Sequence, residues 1–293
     1  MPLNLAATVK NADKHEYDVT SLIYKNGKIY SAADDGKIKM WSTELELEKE
    51  IQAHPCSVYS LTADNSDLIY SCSSDGSIRA WKTTTLEDAG VVQAPGDQEM
   101  WKIYWADDTL CSVDDQGIIN VSKNGKIGTT VIMMEQIKDI AFKDDLIYSV
   151  RELDLVITEL IAGDKGRYMC RKTLQGRAPL CLVGDKLCYS SRDGREIFVN
   201  FRKDNNFKEI ARIQGAHDLV INCLSGCQCG DDALLFSGGW DKVVKQWRLA
   251  NDGATQMASC AVPGYVNDLC TDTACKSVFA GGADGQIWRL DLQ

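Results

Sequence analysis

The chain has 293 residues, 44% of them hydrophobic, and a formal net charge of −10. Such a composition supplies a large core, and the acidic balance disfavours non-specific binding to nucleic-acid phosphates, which requires clustered Lys and Arg. No run of 18 apolar residues occurs, so no segment reads as a membrane-spanning helix.

The opening stretch, MPLNLAATVKNADKHE, lacks the basic head and apolar run of a secretory leader. Most of the twelve cysteines fall at apolar strand positions such as Cys72, Cys111, Cys188 and Cys270. They read as thiols packed as small hydrophobes in a reduced protein of the cytoplasm or nucleus.

Residues 3–9 (LNLAATV) form a short, alternating apolar stretch ahead of the first full unit. The first unit opens at His15, continues through an inner strand at 19–22 and turns at Asn26-Gly27, a hairpin signal. Residues 29–41 follow as IYSAADDGKIKMW, a strand, a tight turn and a strand. The charged, alternating residues 44–51 make the outer strand. The second unit repeats this from His54, with IYSCSSDGSIRAW at 69–81.

Units three to five are degenerate. The third, beginning near 98, has no preceding His and carries Ser122 where Trp is expected. The fourth, near 134, turns at Glu152-Leu153-Asp154 without Gly. The fifth, near 176, keeps Asp193-Gly194 but lacks the Trp. The sixth starts at His217 with a longer first hairpin over 227–232 and then LFSGGWDKVVKQW at 235–247. The seventh starts near 264 and ends after its third strand.

Seven units at spacings of 37 to 48 residues, each with four short strands, predict a single all-β domain. The expected fold is a seven-bladed β-propeller of four-stranded antiparallel blades. The last unit lacks its outer strand, and open edges at the seam would be a liability. Residues 3–9 are therefore expected to supply that strand and close the ring.

The three histidines of the chain all stand four residues before the inner-strand apolar position. With Ser in the second strand, Asp in the turn and Trp ending the third strand, they form His15/Ser31/Asp35/Trp41, His54/Ser71/Asp75/Trp81 and His217/Ser237/Asp241/Trp247. On these residues and the period, the whole chain resembles the WD40-repeat family. The eponymous Trp-Asp pair is absent: Ser, Lys and Arg follow the three Trp residues.

The resemblance implies that each set is a buried structural network. A buried turn needs partners for its backbone polar groups, and a satisfied His–Ser–Asp–Trp chain fixes its geometry. The same residues are not expected to be a hydrolase triad, since each set lies in its own repeated unit. No cofactor is expected. Cys223, Cys227, Cys229 and His217 match no paired-cysteine zinc spacing, so no metal is expected either. Gly238-Gly239 and Gly281-Gly282 open no helix and read as tight inter-blade packing, not phosphate loops.

The family usually binds peptides on the face that carries the loops around the central channel. Carried over by register, the candidate partner-binding residues are Tyr59, Trp240, Tyr265, Met100, Lys102, Lys138, Arg177, Arg192, Asp18, Asp34, Asn222 and Asn267. Trp240 stands out, because exposed aromatic side chains are enriched among binding hot spots. Lys102, Lys138, Arg177 and Arg192 predict a basic sector over units three to five, suited to acidic or phosphorylated segments. Asp18 and Asp34 predict an acidic sector over unit one.

The expected function is a non-catalytic adaptor or scaffold that holds a protein or peptide partner on this face. It would act as a monomeric propeller within a larger hetero-complex. Two other readings stay open. One is a propeller enzyme of hydrolase or esterase type, with carboxylates such as Asp34 and Glu152 at the channel mouth. The other is nucleic-acid recognition through the Lys/Arg sector with stacking by Tyr59 and Trp240.

Overall fold

The computed structural model describes residues 2–123, 125–161, 166–204, 206–230 and 232–292. Its strands form seven four-stranded antiparallel sheets arranged as the blades of a ring. Blades 1 to 6 span residues 19–52, 58–93, 100–132, 139–175, 177–213 and 221–261. Blade 7 takes three strands from 266–292 and its outermost strand from Leu3–Thr8. That strand runs antiparallel to Ile287–Leu292, with Leu3 opposite Leu292 and Leu5 opposite Leu290. The ring is thus closed by the N-terminal strand.

The burial of each strand follows its place in the blade. The second strand of blade 1, Lys28–Ala33, is covered on both faces by neighbouring blades, so nearly every residue in it is buried and either apolar or small. Its outer strand, Leu47–Gln52 (LEKEIQ), borders solvent and carries three exposed charged residues between the half-buried Leu47 and Ile51. The core therefore lies between blades. Tyr30, Ala32, Ile38 and Met40 of blade 1 pack on Val58, Leu61, Ile69 and Trp81 of blade 2, and the pattern recurs around the ring. At Gly238 an added Cβ would lie 2.8 Å from Val266 on the next blade, and at Gly281 it would lie 2.6 Å from Val19. These two glycines sit where adjacent sheets approach closely enough to exclude a side chain.

One detail departs from the sequence expectation. Cys227 and Cys275, on blades 6 and 7, form a disulfide across a Cα–Cα distance of 6.3 Å, whereas the sequence predicts a reduced protein. Their 48-residue separation hid a contact that exists only between neighbouring blades. The long hairpin of unit six joins Ile221–Cys229 to Asp232–Gly239; residue 231 at its tip lies outside the described residues.

Candidate partner-binding face

Three blades contain a complete polar network. In blade 1, Trp41 donates its indole N–H to Ser31 Oγ at 2.8 Å. Ser31 lies 2.7 Å from His15 Nε2, and His15 Nδ1 lies 2.9 Å from Asp35. Asp35 also accepts the backbone N–H groups of Glu16 and Lys37. Blades 2 and 6 repeat the chain through Trp81, Ser71, His54 and Asp75 and through Trp247, Ser237, His217 and Asp241.

The geometry assigns the protons. A neutral imidazole with Nδ1–H donated to the carboxylate accepts the serine O–H at Nε2. Burial holds all three imidazoles below the ordinary histidine pKa despite the adjacent carboxylates. Within each His–Ser–Asp–Trp network the side-chain polar groups are all partnered and the histidines are buried, so each network braces a turn and leaves no open position beside the serine.

One face of the ring carries the loops between these turns and the inner strands. A recurrent backbone bond sets its register: Asp34 N–H to Asp18 O, Ser74 to Ser57, Asp115 to Glu99, Trp240 to Val220 and Ala283 to Tyr265. Asp18, Asp34, Trp240 and Tyr265 therefore stand on this face as expected. In blade 3 the place belongs to Glu99. Met100, expected there, is only 2% exposed and packs with Cys72, Ile78 and Ile103.

The same one-residue slip affects Lys102. Ile103 pairs with Ser112 as Leu22 pairs with Ser31, so Trp101, not Lys102, occupies the position of Thr20 and Tyr59. In blade 5, Ala178, not Pro179, holds that position. The inner strands of blades 1, 2, 3, 5, 6 and 7 carry a bulge at this point, between Val19 and Ser21 in blade 1 and between Met100 and Lys102 in blade 3. Without a preceding His to anchor the count, the sequence does not reveal on which side of the bulge a residue falls. Trp101 was missed for this reason.

Lys102 instead points into the central channel, a cavity of ≈ 370 Å³. Its ammonium lies 3.4 Å from Asp139 on blade 4, and 35% of the Lys102 side-chain surface stays exposed. Asp139 raises the pKa of Lys102 above the ordinary lysine value, and Asp268 adds to the effect. Both carboxylates also tie blades together. Asp139 accepts Leu180 N–H at 2.8 Å, and Asp268 accepts Leu22 N–H at 2.7 Å. Burial shifts the Asp268 carboxyl up. Asn222 and Asn267, proposed as binding groups, are likewise committed: their amides donate to Val266 O and Val19 O of the following blades.

The expected basic sector is corrected to a mixed one. Arg192 is exposed but bonds Asp154 and Leu153 O of blade 4. Arg151 pairs with Glu135, and Arg177 is half-buried beside Gly194. Lys138 alone of the four remains an exposed cation without a carboxylate partner, hydrogen-bonded to Gln136. At unit one, Asp18 accepts the backbone N–H of Asp284. Asp34 has a raised pKa, through partial burial first and then the charges of Asp18 and Asp35.

Two aromatic patches flank the channel mouth. Trp240 and Tyr265, on blades 6 and 7, are 54% and 47% exposed with ring centroids 6.4 Å apart. Lys242 Nζ lies 5.0 Å from the Tyr265 ring. On the other side Tyr59 stacks on Trp101 at 5.1 Å, and Lys138 Nζ lies 5.2 Å from the Trp101 ring. Each patch thus combines flat apolar surface with a cation. Among the described residues no group of three or more His, Cys, Asp or Glu is placed to hold a metal ion.

Seven four-stranded blades and three buried His–Ser–Asp–Trp networks define a WD40-type β-propeller, a class that typically serves as a protein-interaction scaffold. The chain carries WD40 repeats: the family model "WD domain, G-beta repeat" matches residues 8–42, 45–82 and 208–248. These are the segments that carry the complete networks. No curated protein sequence matches the chain. Among solved structures it is similar to the WD40 β-propeller domain of Doa1, with a TM-score of 0.79 at 16% identity over 99% of this chain and 97% of that one. It is also similar to the computationally designed Ika8 protein, with a TM-score of 0.73 at 15% identity over 99% and 100% of the two chains. At these identities the likeness is one of fold.

Proposed function

We propose that the chain is a non-catalytic scaffold that seats an extended peptide or protein loop across the channel mouth, anchored at the Trp240–Tyr265 patch. The observation that carries this reading is the pairing of two half-exposed aromatic rings on adjacent blades, with a lysine over one of them. Large aromatic side chains left in solvent cost hydration free energy, and as centres of interfaces they contribute most of the binding energy. The Tyr59–Trp101–Lys138 patch supplies a second seat. The intervening rim is of mixed charge, which suits a partner segment carrying both signs. The site is proposed to operate inside the cell, in the cytoplasm or nucleus, with the propeller as one subunit of a hetero-complex.

A hydrolase reading finds less support. The three histidines are all buried in satisfied networks, so the Ser57 hydroxyl that hydrogen-bonds Asp34 has no free imidazole to activate it.

The test is affinity capture from native cells with the wild-type chain and with a Trp240→Ala/Tyr265→Ala variant of matched melting temperature. A defined partner set that is lost with the variant is expected. Identical partners on both baits would move the binding surface elsewhere on the propeller.

A further inference from the structure

We propose that the groove between blades 2 and 3 is a receptor for a tryptophan side chain carried by an extended segment of a partner protein. This site lies on the outer wall, separate from the channel mouth, and does not depend on what binds there.

The propeller itself shows what such a groove accepts. In blades 1, 2 and 6 a tryptophan at the end of the third strand fills the space against the preceding blade and donates its N–H to a second-strand serine, at 2.8 Å each time. In blade 3 the register is the same but the ring is missing. Leu110 pairs with Ser122 as Ile29 pairs with Trp41, and Ser112 pairs with Asn120 as Ser31 pairs with Lys39. Ser122 therefore stands in the tryptophan's place, while Ser112 keeps the place of the acceptor.

The vacated space is a cavity of ≈ 360 Å³ lined by Tyr70, Ile78, Trp105, Leu110, Ser112 and Ser122, within the size range of ligand sites. Tyr70 and Trp105 stack at 5.4 Å and offer a flat wall. Ser112 is only 4% exposed, and among the described residues nothing hydrogen-bonds its hydroxyl. Its counterpart in blade 4, Ser149, bonds Val156 O instead. A hydroxyl that opens into an apolar slot with its acceptor site free favours a flat aromatic ring with an N–H donor over a plain phenyl ring, which would cover the oxygen without pairing it.

The mouth of the groove indicates where the ring comes from. Val92 on the outer strand of blade 2 and Ile127 on that of blade 3 line the opening and are exposed, with Val91 beside them. A small free indole would leave these side chains in water. A polypeptide running along the rim would cover them while its tryptophan enters the slot. The larger groove between blades 4 and 5, ≈ 620 Å³, does not share this chemistry. There Tyr189 replaces the acceptor serine, and Asn200, in the tryptophan's place, already donates to Phe207 O.

The probe is an acetylated, amidated pentapeptide, Val-Thr-Xaa-Thr-Val, with 5-fluorotryptophan at Xaa, followed by fluorine NMR as the full chain is added. Saturable broadening or shift is expected with wild type. The phenylalanine counterpart should compete about ten-fold more weakly. Ser122→Trp refills the slot from within, so it should abolish binding while holding or raising the melting temperature. Ser112→Ala should weaken binding about ten-fold, and Trp240→Ala should leave it unchanged. No saturable signal with folded wild type, binding that survives Ser122→Trp, or binding lost in Trp240→Ala would each overturn the proposal. Free 5-fluoroindole binding as tightly as the peptide would overturn the partner segment as the source of the ring.

Discussion

Leu3 and Leu292 face each other across the outermost strand pair of blade 7, so two residues 289 positions apart in sequence complete one sheet. The seam of the ring is held by this pair of strands, and Leu3 is buried among Val278, Trp288 and Leu290 of the same blade. Deleting residues 2–9 strips the cover from Ile287–Leu292 and exposes a sheet edge. The melting temperature is expected to fall by about 10 °C or more, since several kcal/mol of burial are lost and each is worth a few degrees in a domain of this size. Differential scanning calorimetry checks it. An unchanged melt would mean that the seam does not limit stability.

The buried networks make a second prediction. Ser71→Ala removes the hydroxyl shared by His54 and Trp81 and leaves two buried groups unsatisfied. Each such group costs about 1–3 kcal/mol. Ser112→Ala in blade 3, where no His or Trp uses the hydroxyl, is expected to cost less than about 0.5 kcal/mol. Urea unfolding of the two variants side by side measures the difference, and equal costs would contradict the assigned roles.

Acid should destabilise the fold before the carboxylates titrate. The three imidazoles have pKa values held below the ordinary value by burial. The unfolded chain therefore binds protons that the folded chain refuses as pH falls through about 6.5. Stability is fully present above that pH and declines below it, down to the depressed folded pKa. Asp35 and Asp75 have lowered pKa values as well. Their contribution is present above the unfolded carboxylate value, near 4, and is lost as pH falls through the lower folded value. Melting temperature followed from pH 8 to pH 5 is expected to drop. A flat profile over that range would show that the histidines are not held neutral.

In the channel, Asp139→Ala deprives Lys102 of its carboxylate and Leu180 of its backbone acceptor. It is expected to cost about 1–3 kcal/mol, below the figure for a fully buried pair because the Lys102 side chain stays partly exposed. Lys102→Met should cost less, since Asp139 still accepts the N–H groups of Ile140 and Leu180. A double-mutant cycle in chemical denaturation gives the coupling. Additive costs would mean that the 3.4 Å pair contributes nothing.

What the sequence determined by itself is what repeats locally. The period of about forty, the turn signals and the His, Ser, Asp and Trp positions lie within single blades, and a blade is built from contiguous chain. Seven blades, the closing strand and the three complete networks were legible for that reason. Trp240 and Tyr265 were legible too, because strong motifs on either side anchor their loops.

The tertiary structure decided everything that depends on a neighbouring blade or on an unanchored register. The bulges before Lys102 and Leu180 shift the alternation of side chains by one residue. They buried Met100, turned Lys102 into the channel and brought Trp101 to the surface, since a single-residue slip moves a side chain to the other face of a strand. Half of the predicted basic sector is paired because Asp139 and Asp154 meet Lys102 and Arg192 only across blade boundaries. The disulfide between Cys227 and Cys275 and the empty slot over Ser112 have the same origin. Both arise where consecutive blades pack face to face, and no pattern within a single blade encodes that contact.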